Sequence, residues 1–304
     1  MRIQTLLYGF ILFSIPQLVR AQDNDLLNKL NDSMSVNDQK SYVTGTFKAT
    51  HIINMQTVEG PAKGAMIFLI QHRFGTLNSG SYNFFGLDNA TLRLGFDYGI
   101  CDRLTVGVGR SSYLKTYDGY LKYKLLRQTD GSGSVPVTMS VLGAINYYTL
   151  NIPAEPYVNG MYRASYATQL LIARKFNRNL SLQIAPTWLH YNLTPDSKDK
   201  NEVFGLGMGG RMKVTRRSSI DAEYDYLPSG QIVTNKVSNS FSLGWDIETG
   251  GHVFQLVLSN SQSMVESQYF GQTTGKWGNG DIYFGFNLSR TFDLKKKNEK
   301  KGNP

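Results

Sequence analysis

The 304-residue chain contains one cysteine, Cys101, and four histidines, His51, His72, His190 and His252. A single thiol closes no disulfide within the chain and excludes multi-cysteine zinc and iron–sulfur sites. The histidines show no metal-ligand spacing with one another, with the cysteine or with a carboxylate. No metal and no cofactor is therefore expected. Charged residues make up only 18% of the chain, while aromatic residues reach 12%. Such a composition is unlike that of a disordered polypeptide. The sequence also lacks repeated apolar runs of about 20 residues, which excludes a polytopic helical membrane protein.

The formal net charge of +9 suggests an acidic partner until its distribution is considered. Arg2 and Arg20 belong to residues 1–21, which read as a secretory signal peptide. A positive start is followed by the short apolar run Leu6–Ile15 and by Val19-Arg20-Ala21, an A-x-A-like cleavage site. Residues 295–301 carry five lysines and one glutamate, so much of the remaining excess sits in a basic tail over 295–304. Residues 22–40 form an acidic linker expected in the periplasm. A nucleic-acid surface needs clustered basic residues, which the body of the chain lacks, so no nucleic acid is expected as a partner.

What the body does contain is alternation. In Thr91–Ile100, Leu92, Leu94, Phe96, Tyr98 and Ile100 share one face, opposite Thr91, Arg93, Gly95, Asp97 and Gly99. The same period of two recurs through residues 64–294 and is a strand signal. Twelve strands are expected, near 64–74, 90–100, 103–111, 117–127, 135–148, 161–176, 180–191, 203–215, 219–227, 239–248, 252–260 and 281–292. Pro186 sits on the apolar face of one of them and weakens that assignment, because proline gives no ladder hydrogen bond. Short turns near 101–102, 129–133, 177–179, 216–218 and 249–251 alternate with longer polar connections, the last over 259–280. That asymmetry is the pattern of an outer-membrane barrel. The expected fold is therefore all-β, a transmembrane antiparallel up-and-down β-barrel of twelve strands. Fourteen strands become an alternative if 41–63 hides two more, and the same segment is otherwise a candidate plug.

A soluble sandwich would use the same alternation. The export signal, the turn asymmetry and the aromatic residues near strand ends favour a membrane; these residues are Tyr98, Tyr117, Tyr123, Tyr147, Trp188, Tyr226, Trp245 and Phe254. The polar face would line the lumen. It would place there Arg93, Asp97, Lys122 and Lys124 from the first third of the barrel and Arg163 from the middle. Arg211 and Lys213 would stand beside an acidic ladder of Asp221, Glu223 and Asp225, with Asp246 on the next strand. These charges would either bridge strands or select a solute. His72 and Arg73, where a strand enters a long loop, are candidates for the outer mouth. Gly205, Gly207, Gly209 and Gly210 lie within a strand with no following helix, so they form no phosphate loop and would instead give room inside the barrel.

His72-Arg73-Phe74-Gly75, Phe85-Gly86-Leu87-Asp88, Gly99–Ser111 and Tyr117–Lys124 resemble an uncharacterised outer-membrane β-barrel family found mainly in Bacteroidota, a domain-of-unknown-function family. The resemblance extends over about 43–292. It implies fold and compartment and carries no catalytic residue. Phe292 resembles the closing aromatic read by the barrel assembly machinery, an expected partner alongside outer-membrane lipid. The first functional expectation is a channel or transporter for a small solute. The alternative is a structural or docking barrel plugged by 41–63 that anchors a periplasmic or surface partner. A third idea, a barrel lipid hydrolase using His72 or His190, is the weakest, and no enzyme is expected.

Overall fold

A polar lumen and an apolar outer wall dictate the architecture, because in a bilayer every backbone N–H and C=O must find its partner within the wall. The computed structural model describes residues 40–151, 153 and 158–294. The expected signal peptide, most of the acidic linker and the basic tail lie outside the described residues. Twelve antiparallel strands close into one barrel: β1 (Ala65–Thr76), β2 (Ala90–Cys101), β3 (Leu104–Ser111), β4 (Thr116–Leu126), β5 (Thr138–Tyr148) and β6 (Ala164–Lys175), then β7 (Leu180–Tyr191), β8 (Glu202–Lys213), β9 (Ser218–Tyr226), β10 (Ser240–Thr249), β11 (His252–Ser259) and β12 (Tyr283–Asp293). Each strand pairs with its sequence neighbours, and β12 pairs with β1 from Tyr283–Thr76 to Asp293–Ala65. The closed twelve-strand order excludes the fourteen-strand alternative.

The two faces are inverted relative to a soluble protein. On β2, Leu92 and Phe96 are 37% and 44% exposed, whereas Arg93 and Asp97 are 3% and 1% exposed. Charged residues are buried only when paired, so the barrel interior must supply partners, and the apolar exterior needs lipid. A soluble sandwich is thereby excluded. The eight aromatics expected at strand ends all lie on the outward parity of their strands. Pro186 also faces outward. Its ladder with β8 continues through Leu206, while the pairing of β7 with β6 is interrupted between Thr187 and Ile184. The missing N–H thus costs one local gap and does not end the strand.

The lumen is filled from both ends. Residues 43–63 enter from the end that carries the short turns. Ser41–Tyr42 first pairs with Thr129–Asp130 in a turn there. The segment then folds as a tight hairpin, with Ile52 N donating to Met55 O at 2.8 Å, Thr57 N to Thr50 O at 2.8 Å and a bridge between His51 and Gln56. From the opposite end, the connection expected as a polar loop over 259–280 carries a short helix, α1 (Glu266–Gly271), entirely buried.

The wall is shaped to admit both inserts. Phe47, Ile52, Ile53, Met55 and Val58 of the hairpin pack on Leu171, Ala173, Ala185 and Val257. Tyr269 and Phe270 of α1 pack on Tyr120, Leu142, Leu189 and Val203. The glycine series of β8 makes room. A Cβ at Gly205 would come within 2.6 Å of Phe270, one at Gly207 within 2.6 Å of the Met55 sulfur, and one at Gly209 within 2.6 Å of Ile52. Gly207→Leu should therefore displace the hairpin and leave the barrel intact, since overpacking of this kind costs about 1–3 kcal/mol. The check is maleimide labelling of Ile53→Cys in a Cys101→Ser background. Labelling is expected to be blocked in the parent and rapid with Gly207→Leu, at unchanged heat-modifiable mobility on electrophoresis.

Candidate functional site

The period of two brings charged and amide side chains of many strands into the same lumen, and the N-terminal hairpin meets them. Glu223 on β9 accepts the backbone N–H groups of Ile53, Asn54 and Met55 at 3.0, 3.0 and 2.9 Å. Three amides converging on one carboxylate form an anion nest at the hairpin tip. Arg73 on β1 donates to Asn54 Oδ1 at 2.8 Å and to Asn287 Oδ1 of β12 at 2.9 Å. Gln255 of β11 donates to Ile52 O at 2.8 Å, and Asn287 to Ile53 O at 2.9 Å. Lys122 of β4 binds Gln56 Oε1 at 3.1 Å and Thr57 O at 2.9 Å. Gln183 of β7 both donates to Gln56 O and accepts from Val58 N. Asp97 of β2 accepts from Thr50 Oγ1 at 2.7 Å.

The tip is therefore held around nearly the full circumference of the barrel. Beside it, burial and the charges of Arg93 and Lys122 lower the pKa of His51 well below its usual value. Its Nδ1 lies 3.2 Å from Thr50 Oγ1.

Most of the lumen residues expected from sequence are where the alternation places them. Arg93 is ion-paired with Asp118 of β4 and donates to Gln71. Lys124 pairs with Glu59 of the incoming segment at 3.7 Å. Arg211 donates to Ser219 Oγ at 2.9 Å and pairs with Glu248 at 2.5 Å. It does not take Asp221, its cross-strand neighbour in the β8–β9 ladder, as an ion-pair partner. Gln255 instead bridges the carboxyls of Asp246 and Asp221, at 2.7 and 3.4 Å. Asp225 is buried beside the Glu223 carboxyl, with the Ser240 hydroxyl next to it. Lys213 lies at the short-turn end of β8 and is only half-buried, so it borders the lumen without lining its centre.

Two expectations are corrected. His72 and Arg73 do not form a pair at the outer mouth. Successive strand residues point to opposite faces, so Arg73 is fully buried in the lumen. His72 faces outward, its ring stacked on Phe286 at 5.0 Å and edge-on to Phe74 at 4.4 Å. Arg163 lies in a 3-10 turn (Gly160–Arg163) before β6, at the long-loop end, and not on a strand. Its guanidinium is committed to Val158 O and Leu150 O, at 2.9 and 2.6 Å.

Sequence reasoning also missed the amides. Gln71, Gln183, Gln255 and Asn287 carry as much of the hairpin's anchoring as the charges do. Their signal was present, since Gln71 shares a face with Arg73 and Asn287 shares one with Gly285. Glu248 and Asp118 were likewise passed over. The buried helix α1 had a fainter signal, the apolar residues Met264, Val265, Tyr269 and Phe270 within an otherwise polar connection.

Among the described residues, no imidazole is bonded between a hydroxyl and a carboxylate beside these groups. His190 Nδ1 lies 2.5 Å from Glu202 Oε1 on the outward side. Among the described residues, no serine or threonine hydroxyl bonds to His72, His190 or His252. Thr50, beside His51, gives its proton to Asp97. No group of three metal-ligating side chains occurs among the described residues.

Comparison with solved structures finds barrels of similar course at low identity. The NanC porin is 7% identical over 75% of this chain and 100% of its own length, at a TM-score of 0.48. The KdgM porin is 8% identical over 75% and 99%, at 0.46. An outer membrane channel from Pseudomonas putida F1 is 15% identical over 77% and 97%, at 0.45. No curated protein is detectably similar in sequence. The membrane bound beta barrel domain DUF5777 matches residues 47–292, which include the hairpin tip as well as all twelve strands, and the chain belongs to that family.

Proposed function

We propose that the protein is an outer-membrane channel for a small hydrophilic solute, closed at rest by its own N-terminal hairpin acting as a removable plug. The short turns then face the periplasm and the long loops the exterior, which places the hairpin's entry on the periplasmic side. The barrel assembly machinery and outer-membrane lipid are the partners this placement calls for.

The observation that carries the reading is the chemistry of the plug–wall interface. A permanently filled barrel core would gain most from apolar packing, as the side-chain layers of filled barrels do. Here the hairpin is bound largely through Arg73, Lys122, Glu223, Gln183, Gln255 and Asn287. These wall groups are satisfied by the plug when it is in and by water when it is out. Asp225 pushes in the same direction. Two carboxyls buried side by side, Asp225 and Glu223, are costly, and withdrawal of the plug would hydrate both. The apolar contacts of Ile52, Ile53 and Met55 with the wall oppose withdrawal and keep the resting state closed.

The latch and the gate can be tested separately. Glu223→Leu removes the acceptor of three buried amides, each left unsatisfied at about 1–3 kcal/mol. Hydrogen exchange at residues 53–55 should accelerate at least tenfold, with the strand amides unchanged. Unaltered protection there would show that Glu223 is no latch.

For the gate, Asn54 Nδ2 lies 3.4 Å from Ser242 Oγ, so Asn54→Cys and Ser242→Cys, in a Cys101→Ser background, are within reach of a short bifunctional methanethiosulfonate that reduction removes. Planar bilayers are expected to stay silent when the pair is cross-linked and to show discrete conductance steps under stepped voltage after reduction. Silence in both states would overturn the channel reading and favour the docking barrel. Equal conductance in both states would show that the hairpin is not the gate.

A further inference from the structure

Charge is unevenly divided between the two ends of the barrel. The short turns between strands carry five arginines against Asp102 and Asp130, with no lysine or glutamate. In the long connections basic and acidic residues balance, six of each. The short-turn rim is thus a positive surface, and part of it is built into the wall where β4 and β6 end.

Arg174 shares the outward face of β6 with Leu170 and Ile172 and is exposed. Phe176 follows two residues on, nearer the rim, and is 53% exposed. The Arg174 guanidinium lies over that ring, 5.2 Å from its centre. The side chain therefore leaves the wall among apolar neighbours and carries its charge toward the rim, as long basic side chains do at a membrane boundary. The same stack recurs on β12, with Arg290 over Phe292 at 4.8 Å. Arg127 follows Leu125 and Leu126 of β4, both exposed, and lies over the Tyr42 ring at 4.2 Å.

Arg127 and Arg174 are held on one stretch of rim. The buried Gln128 donates from Nε2 to Lys175 O and accepts Lys175 N on Oε1, both at 2.9 Å. Only β5 separates the two strand ends, a span of two strand spacings or about 10 Å, the scale of a phospholipid headgroup. The ion pairs among the described residues use Lys48, Arg93, Lys124, His190 and Arg211 as their basic partners. Arg127, Arg174 and Arg178 enter none of them.

A cation that faces lipid at the edge of an apolar wall must take its counter-charge from the bilayer, because an unpaired charge there is costly. The guanidinium fork matches a phosphate through two parallel hydrogen bonds. A zwitterionic headgroup brings its own ammonium to a surface that is already positive, whereas a headgroup of net negative charge does not.

We infer that this stretch of rim is a binding site for an anionic phospholipid of the periplasmic leaflet, its phosphodiester held by Arg127 and Arg174, with Arg178 in the adjacent turn. The inference rests on the membrane placement proposed above and not on the plug.

The experiment is native mass spectrometry of the full-length protein released from detergent micelles doped with equal amounts of phosphatidylglycerol and phosphatidylethanolamine. Retained phosphatidylglycerol is expected to exceed phosphatidylethanolamine by at least about fivefold, the scale of one basic residue at an anionic surface. Arg127→Gln combined with Arg174→Gln should remove that preference. Lys276→Gln, at an exposed position of the long-loop end, should leave it unchanged. These are surface substitutions, and heat-modifiable mobility on electrophoresis reports that each barrel is intact. Equal retention of the two lipids, a preference that survives the double substitution, or its loss in Lys276→Gln would each overturn the proposal. Displacement of the lipid by ammonium phosphate would overturn it in favour of a free-anion site, and displacement by polyglutamate in favour of docking by an acidic protein. None of these readouts passes through conductance, so failure here is distinct from failure of the channel reading.

Discussion

A closed barrel that turns its polar face inward must find partners for every group it buries, and this requirement organises the rest of the molecule. Arg73 and Glu223 are almost wholly removed from solvent, and stranding either without a counterpart would be costly. The hairpin answers that demand with three backbone amides for the Glu223 carboxylate and with the Asn54 side-chain oxygen for the Arg73 cation. Its own backbone carbonyls, which would otherwise be orphaned inside the barrel, are satisfied by Gln255, Asn287, Gln183 and Lys122 of the wall. The plug and the wall therefore complete each other's hydrogen bonding.

The two inserts divide the lumen by chemistry. Toward the short turns, the hairpin combines a polar tip with Ile52, Ile53 and Met55 set against small or aliphatic wall residues. Toward the long loops, α1 brings Tyr269 and Phe270 against Leu142, Leu189 and Val203. The glycines of β8 serve both inserts, since the Gly205 position abuts Phe270 and the Gly207 and Gly209 positions abut the hairpin. One strand with little side-chain bulk thus sets how much chain the lumen can hold. At α1, bonds from Asn146 to Ser267 and from Gln268 to Thr116 tie the loop helix to the strands.

Much of this was legible in the sequence. Strand positions followed the period of two closely, from β2 at Ala90–Cys101 to β11 at His252–Ser259. The same period put Arg93, Asp97, Lys122, Glu223 and Asp246 inside. The pairing of His72 with Arg73 failed because adjacency in a strand means opposite faces, a rule that the period itself contains. Arg163 failed for a different reason. The alternation near 161–163 continues a strand pattern into what is a 3-10 turn, and a short run of residues does not distinguish the two. The amides Gln71, Gln183, Gln255 and Asn287 carry no charge to mark them in the sequence, yet a buried amide binds a backbone group as well as an ion does.

The sequence by itself determined the barrel, its closure and which side chains turn inward, because those properties repeat locally every second residue. It left open what would occupy the lumen, and only the tertiary structure decided that. The contacts that seat the plug join residues far apart in the chain, Ile53 with Glu223 and with Asn287. No local pattern encodes such a pairing. It arises when a closed wall brings side chains from many strands around one short hairpin.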